Sequence, residues 1–212
     1  MKQRELAYDA FTENLLSRQI SPGQFISQRE LVALTGMSLG AVREMIPRLE
    51  ADGLIRTVAQ RGLQVLHVDM ELIRNAFQLR IILEREAVRH FVAVVSDEEI
   101  ATLRADHEAA RAAAASGITP DILANAQRID WDFHDRMIDM LDNDLIRTIY
   151  RTNAIKVRLI RNEDTRMLPE LAVSVMDEHL AIITAIESRS PEAAENALLA
   201  HITSARQRAV RI

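Results

Sequence analysis

The stretch SPGQFISQRELVALTGMSLGAVREMIPRLEADGLIRTVAQRGLQV, residues 21–65, decides the fold of the first part of the chain. Ser27 stands three residues before Glu30, the spacing of a capping box that opens a helix. This helix is expected to stop at Thr35-Gly36-Met37, and Ser38 is placed to cap the next one. The stretch therefore predicts two short helices joined by a tight turn.

Elements on either side complete a small domain. Upstream, RELAYDAFTENLLSR (4–18) places its apolar residues on one face of a helix, and a turn follows at 21–24. Gly53 is well placed to end the helix that Ser38 opens. Beyond it, LIRTV and LQVLHV are joined across AQRG and predict a hairpin. Three helices and a hairpin indicate a winged helix-turn-helix domain over residues 1–68.

The second part of the chain, residues 69–212, predicts an all-α antiparallel bundle. Asp69 is placed to cap a long helix, and Ser96 with Glu99 forms a second capping box. Further helices are expected from Pro120 to about Asn143, over 144–162, after Pro169 and from Pro191, the last with Ser190 as its cap. No strand pattern occurs in this part, so the fold class is mainly α.

Composition restricts the classes of function. The chain has 212 residues, enough for two domains, and its N-terminus is charged throughout, unlike a secretory signal. No apolar tract is long enough to cross a membrane, and the absence of cysteine fits a reducing cytoplasm, where we expect the protein to be located. Without thiolates, a bound metal must be held by nitrogen and oxygen ligands.

Charge is unevenly distributed along the chain. Residues 1–68 hold eight Lys and Arg against seven Asp and Glu, a net charge of +1. Residues 69–212 hold 18 against 24, a net charge of −6. A contact with nucleic acid therefore belongs to the first part of the chain.

Four residues of the second part are candidate ligands of one metal ion. Asp130 and His134 are four apart in a predicted helix and so share one face, while His179 and His201 lie in two later helices. Three imidazoles and one carboxylate suit zinc, with nickel or manganese as alternatives, better than calcium or magnesium. Spacing alone does not bring three helices together, and three unrelated surface histidines are the alternative.

The first part resembles the DNA-binding domain of the GntR family of bacterial transcription regulators. The matching elements cover nearly the whole domain: Pro22-Gly23, Arg29-Glu30-Leu31, Gly36, Ser38, Val42-Arg43-Glu44, Arg48-Leu49, Gly53-Leu54 and Arg61-Gly62. The resemblance implies that the third helix enters the major groove of operator DNA and that the wing lies against the minor groove. The DNA-contacting residues that it implies are Arg29, Ser38, Leu39, Gly40, Arg43, Arg61 and Gly62.

Three positions complicate this reading. The family usually has Arg and Thr after the capping serine, where this chain has Leu39 and Gly40, so its operator need not resemble the family's usual one. Pro47 should cost about 3 kcal/mol inside a regular helix and could kink it. Arg43 could instead be a solvated helix charge, and Arg29 could pair with Glu30 or another acid.

The second part resembles the C-terminal FCD domain of the GntR subfamily named after the fatty-acid regulator. The carrying pieces are FQLRIILEREAV, DWDFHDRMIDMLDND and MDEHLAIITAIESRSPEAAENALLAHI. In metal-binding members an Asp and three His converge, which implies a metal site at Asp130, His134, His179 and His201.

The resemblance also distinguishes the remaining candidate residues. It places Arg80 at the metal cavity, where its guanidinium would clamp a carboxylate effector, although a pair with Glu84 is the alternative. Asn153 is a weaker effector-contact candidate, with a solvated helix residue as its alternative. His67, His90 and His107 match no motif and are expected at the surface or an interface, and Trp131 in the core or an interface rather than in the pocket.

The functional prediction is a homodimeric, non-enzymatic regulator that binds operator DNA and responds to a small organic acid at the metal. A metal-dependent hydrolase using Asp132 or Asp135 is the rival from another class. A regulator with a purely structural metal, or with a metal-free acyl-CoA pocket, is a third possibility.

Overall fold

The structure, a computed structural model, describes residues 2–164 and 169–210. The first part contains α1 (Gln3–Leu16), β1 (Phe25–Ile26), α2 (Gln28–Thr35), α3 (Leu39–Ala51), β2 (Ile55–Val58) and β3 (Gly62–Val65). The capping box of α2 is present, since Ser27 Oγ accepts from the Glu30 amide at 3.2 Å and Glu30 Oε2 accepts from the Ser27 amide at 2.7 Å. Gly36 ends this helix with a φ of +67°, which favours glycine. The winged helix-turn-helix prediction is confirmed.

The wing has one strand more than the sequence pattern predicts. β1 pairs antiparallel with β3, and β3 pairs antiparallel with β2, so the strand order is β1-β3-β2. With only two residues, β1 is too short to show the alternation of apolar and polar residues that predicts a strand. The sequence pattern therefore predicts only a turn here. Gly62, the first residue of β3, has a φ of +93°, and a Cβ there would meet the Ile26 carbonyl oxygen at 3.3 Å.

The recognition helix α3 begins at its predicted cap, where Ser38 Oγ accepts from the Ala41 amide at 3.2 Å. It buries the predicted stripe of Val42, Met45, Ile46 and Leu49. The helix continues through Pro47 to Ala51, so proline neither ends nor interrupts it. The ring is on the exposed face, where it displaces no core side chain.

The second part consists of α4 (Met70–Val94), α5 (Asp97–Ser116), α6 (Pro120–Asp139), α7 (Asp144–Asp164), α8 (Pro169–Glu187) and α9 (Pro191–Val210). Over the described residues from 69 onward there is no strand, in agreement with the expected bundle. α6 ends at Asp139, four residues earlier than predicted, and Met140 forms its C-cap. Aromatic and aliphatic side chains of α4, α6, α7, α8 and α9 form the main core, including Phe77, Phe91, Phe133, Tyr150, Ile183 and Leu198.

Helix α7 packs on both parts of the chain. Leu159 is 1% exposed and belongs to the core of the winged helix, with Ile155 packed at the edge of that core. Tyr150, Ala154 and Val157 of the same helix belong to the core of the bundle. One continuous helix therefore connects the two cores. No helix among the described residues is long and apolar enough to cross a membrane.

The strain at Pro47 is testable. Pro47→Ala should raise the free energy of unfolding by about 2 kcal/mol. Alanine restores the hydrogen bond to the Arg43 carbonyl and removes the clash of the ring, which together stabilise the folded state by ~3 kcal/mol. It also makes the unfolded chain more flexible, which lowers the stability by ~1 kcal/mol. Urea denaturation measures the change, with Glu44→Ala on the same exposed face as the control. Equal or lower stability of Pro47→Ala would show that the ring is accommodated without cost.

Candidate metal centre

Four buried side chains from three helices meet in the bundle. Asp130 and His134 come from one face of α6, His179 from α8 and His201 from α9, and each is at most 2% exposed. One ligand atom from each residue lies within 4.8 Å of the others. The alternative of three unrelated surface histidines is therefore wrong.

The spacing between the ligand atoms fits a single small cation. His201 Nε2 lies 3.3 Å from His134 Nε2 and 3.4 Å from His179 Nε2. Asp130 Oδ1 lies 3.1 Å from His179 Nε2 and 3.8 Å from His134 Nε2. Ligands held at about 2.0–2.1 Å from a tetrahedral centre are about 3.4 Å apart, so these separations match a metal site.

Two of the three histidines contact a carboxylate through Nδ1, the ring nitrogen that faces away from the centre. Nδ1 of His134 lies 2.8 Å from Glu84 Oε2, and Nδ1 of His201 lies 2.7 Å from Glu178 Oε2. The Glu178 carboxylate accepts a hydrogen bond and so keeps the hydrogen of His201 on Nδ1, and the negative charge of Glu84 favours the same tautomer in His134. The Nε2 lone pairs of both rings then point into the centre, beside the Asp130 carboxylate. Such an arrangement favours a cation between the atoms.

The electrostatics keep the imidazoles of His134 and His201 unprotonated. Burial lowers the pKa of His134 to about 4, despite the opposing effect of Glu84, and burial places the pKa of His201 well below its usual value. Burial would raise the pKa of Glu84, but Arg80 and His134 outweigh it and hold that pKa at about 2. At neutral pH these imidazoles are uncharged, as metal binding requires.

Glu84 joins the centre to its surroundings. Its Oε1 accepts from Arg80 Nε at 2.7 Å and from the Tyr150 hydroxyl at 3.0 Å, while Oε2 faces His134. The intrahelical pair of Arg80 and Glu84 is thus present, and it is 4% and 0% exposed rather than solvated. Glu178, the carboxylate that contacts His201, accepts a hydrogen bond from Arg208 at 2.8 Å.

A narrow cavity borders the centre at His134. It has a volume of about 20 Å³, room for one or two water molecules. Its lining residues come from α4, α6 and α7: Arg80, Trp131, His134, Asp135, Tyr150, Asn153, Ala154, Val157 and Arg158. Both effector-contact candidates, Arg80 and Asn153, therefore face the same space.

One expectation and one alternative for this region were wrong. Trp131 lies in the cavity wall, where the Arg158 guanidinium stacks 4.5 Å from its ring and also donates to Asp135 at 2.8 Å. Asn153 is not solvated, since it is 4% exposed and its amide donates to the Ala76 carbonyl at 2.9 Å.

His107 was also misplaced by the sequence reasoning. It is 1% exposed, and its Nε2 lies 3.1 Å from His179 Nδ1. Sequence reasoning also missed Glu84 and Glu178 as partners of the inner histidines. The available signals were that Glu178 directly precedes a candidate ligand and that Glu84 shares a helix face with Arg80.

The predicted DNA-contacting residues are all exposed on the winged helix. Leu39 is 41% exposed at the start of α3, and Arg43 donates to Gln28 of α2 at 3.1 Å. Arg29 is exposed and forms no ion pair within the described residues. In the wing, Arg61 stacks 3.9 Å from the Phe25 ring centroid.

Comparison with known families accounts for both parts of the chain. Residues 3–65 match the gntR family of bacterial regulatory proteins, and residues 75–204 match the FCD domain. The chain belongs to the GntR family, in the subfamily with a C-terminal FCD domain. It is a DNA-binding transcriptional regulator of the GntR/FCD type.

Two relatives that align with this chain over most of their length are transcriptional regulators. The chain is 24% identical over 218 residues to the probable transcriptional regulator LgoR of Escherichia coli, covering 99% of this chain and 69% of that protein. It is 26% identical over 189 residues to the Nta operon transcriptional regulator of Aminobacter aminovorans, covering 88% and 85%.

Solved structures share the fold. E. coli McbR/YncC superposes with a TM-score of 0.74 at 17% identity, covering 96% of this chain and 95% of the other. A structure described as the metal-free FCD domain of TM0439 has a TM-score of 0.57 at 21% identity, covering 68% and 95%.

Proposed function

We propose that this regulator binds one divalent metal ion in the bundle and changes its operator affinity when a small carboxylate binds beside that ion. The observation that carries the proposal is the centre itself. Three imidazole Nε2 atoms and the Asp130 carboxylate converge in a buried space, while the outward nitrogens of the imidazoles are tied to protein groups.

The donor set supports zinc first, with nickel or manganese as alternatives, because it combines three nitrogens with one oxygen. When bound, the ion would hold α6, α8 and α9 together, and expansion from four ligands to five would give a carboxylate oxygen a place on it. His134 belongs both to the centre and to the cavity wall, so a molecule in the cavity lies next to the ion.

The cavity supports a small anionic effector. Arg80 and Arg158 line it, paired with Glu84 and Asp135 respectively, and Arg80 uses only Nε in its bond to Glu84 within the described structure. Its planar end group remains able to form two parallel bonds to a carboxylate. The cavity holds only one or two waters, so a hydroxy acid or sugar acid must displace side chains such as Trp131, and an acyl-CoA is far too large.

The metallohydrolase alternative finds no comparable support. Asp132 pairs with Arg128 at 2.8 Å and is 60% exposed, and Asp135 is held by Arg158. Neither carboxylate is left to activate a water molecule at the centre. The FCD and GntR matches also account for the whole architecture without an enzyme.

Helix α7 provides the route from effector to DNA. Tyr150, Asn153 and Val157 line the cavity, while Ile155 and Leu159, on the opposite face of the same helix, pack on the winged helix. A ligand that displaces cavity side chains therefore presses on a helix that the DNA-binding part also contacts. An effector acts only through its differential affinity for the two arrangements.

We also propose that the protein works as a homodimer. Leu145 and Ile149 are 77% and 50% exposed and lie four residues apart on one face of α7. An isologous interface on this face would place two recognition helices on the two halves of a palindrome.

The first prediction concerns metal content. Purified protein should carry close to one divalent ion per chain, and a His179→Ala/His201→Ala variant should lose it because two nitrogen ligands are removed. Elemental mass spectrometry measures the ratio. A His67→Ala/His90→Ala variant, which loses the same number of imidazoles, should keep the ion. Full metal content in the first variant would place the ligands elsewhere.

The second concerns the operator. Footprinting should reveal a short imperfect palindrome, and Arg43→Ala should weaken binding by about 1–3 kcal/mol if its guanidinium contacts a base. Fluorescence anisotropy at fixed salt measures the affinity, with Arg111→Ala in α5 as the control for charge. An asymmetric footprint, or equal affinities of Arg43→Ala and the unaltered protein, would contradict the assignment.

The third concerns the effector. Arg80→Lys retains a cation for Glu84 but removes the planar fork, so affinity for the activating acid should fall at least about tenfold. Alanine would be a poorer choice, since it would leave Glu84 without its ion pair and disturb His134. Calorimetry with a panel of sugar and hydroxy acids is the measurement, and Arg85→Lys, an exposed change on the same helix, is the control.

Two results would count against the effector proposal. Unchanged affinity in Arg80→Lys would exclude the bidentate contact. Equal binding of the acid to metal-loaded and metal-stripped protein would show that the ion is structural only.

A further inference from the structure

The third inner histidine, His179, is held differently from the other two. His134 and His201 each face a carboxylate, Glu84 and Glu178, through Nδ1. Nδ1 of His179 instead faces another imidazole, His107 of α5, at 3.1 Å. A second imidazole is ambiguous as a partner, because its nitrogen either donates or accepts according to where its hydrogen lies.

The surroundings of His107 remove this ambiguity. Its Nδ1 lies 2.6 Å from the Leu103 carbonyl oxygen, which only accepts hydrogen bonds. Nδ1 must therefore carry the hydrogen. In the neutral ring Nε2 is then an acceptor, and this is the atom that faces His179. The bond can form only if His179 donates from Nδ1.

The consequence reaches the centre. With its hydrogen on Nδ1, His179 has its lone pair on Nε2, the atom that lies 3.1 Å from Asp130 Oδ1 and 3.4 Å from His201 Nε2. The opposite tautomer would direct a hydrogen into the centre and remove one metal ligand. The chain of bonds thus runs from a backbone carbonyl through two imidazoles to the position of the ion.

We propose that His107 is a positioning residue for the metal centre, which fixes the tautomer and ring orientation of His179; this rests on the proposed metal site. Phe133 restricts both rings, since its centroid lies 5.2 Å from that of His107 and 5.2 Å from that of His179. The outer shell therefore consists of two carboxylates and one neutral imidazole. Such partners typically change metal affinity 10–100-fold.

Two substitutions separate hydrogen bonding from packing. His107→Phe fills the space but has no acceptor, whereas the Gln side chain in His107→Gln can place an amide oxygen near the position of Nε2. Zinc affinity is measured by competition with a chromogenic chelator, using metal-stripped protein. His107→Phe should bind zinc 10–100-fold more weakly than the unaltered chain. His107→Gln should stay within about threefold of it.

Equal affinities in both variants, whether preserved or equally lost, would overturn the proposal, since packing alone would then explain them. Urea unfolding of the metal-free variants reports any general loss of structure. If His107→Phe does not fold, ¹⁵N NMR of the unaltered metal-free protein decides: His179 should carry its hydrogen on Nδ1, and hydrogen on Nε2 would refute the role. Absence of zinc binding by the unaltered chain would instead refute the metal site itself.

Discussion

The contacts on the outward nitrogens of three histidines are the constraint on which the centre depends. Glu84 of α4, Glu178 of α8 and His107 of α5 contact these rings. The Nε2 lone pairs of the histidines on α6, α8 and α9 therefore converge. A protein that served only to pack its core would not bury four polar side chains with their acceptor atoms facing one another. The proposed metal ion would supply the positive charge that such an arrangement favours.

The same interactions connect the centre to the rest of the molecule. Glu84 links His134 to Arg80 and Tyr150, and Tyr150 belongs to α7, the helix whose opposite face packs on the winged helix. The proposed metal site, the cavity beside it and the winged helix therefore share one continuous set of packed groups. A two-state change in α7 is the physical element that such a coupling requires.

Much of the fold could be predicted because its signals are local. Ser27, Ser38 and Gly36 act within a few residues of their own positions, and the structure places caps and turn where the sequence indicates them. The two-residue strand β1 was not predicted, because it pairs with residues of β3 that are about 38 positions away along the chain. Two residues are also too few to show the period of a strand. The helix α3 continues through Pro47, which shows that this proline did not end the helix.

The site was predictable in part. The four inner residues could be named from their resemblance to a family pattern, but the outer shell depends on distances between helices far apart in the chain. His107 and His179 are separated by 72 residues, and no motif marks the pair. Trp131 was assigned to the core because a large aromatic side chain usually lies there, whereas stacking with Arg158 holds it in the cavity wall.

The most direct test of the central claim is anomalous diffraction from crystals of the zinc-loaded protein, recorded on both sides of the zinc absorption edge. The account predicts one anomalous peak per chain, bound by Nε2 of His134, His179 and His201 and by a carboxylate oxygen of Asp130. A peak elsewhere in the chain, or coordination through Nδ1 of any of the three histidines, would contradict it.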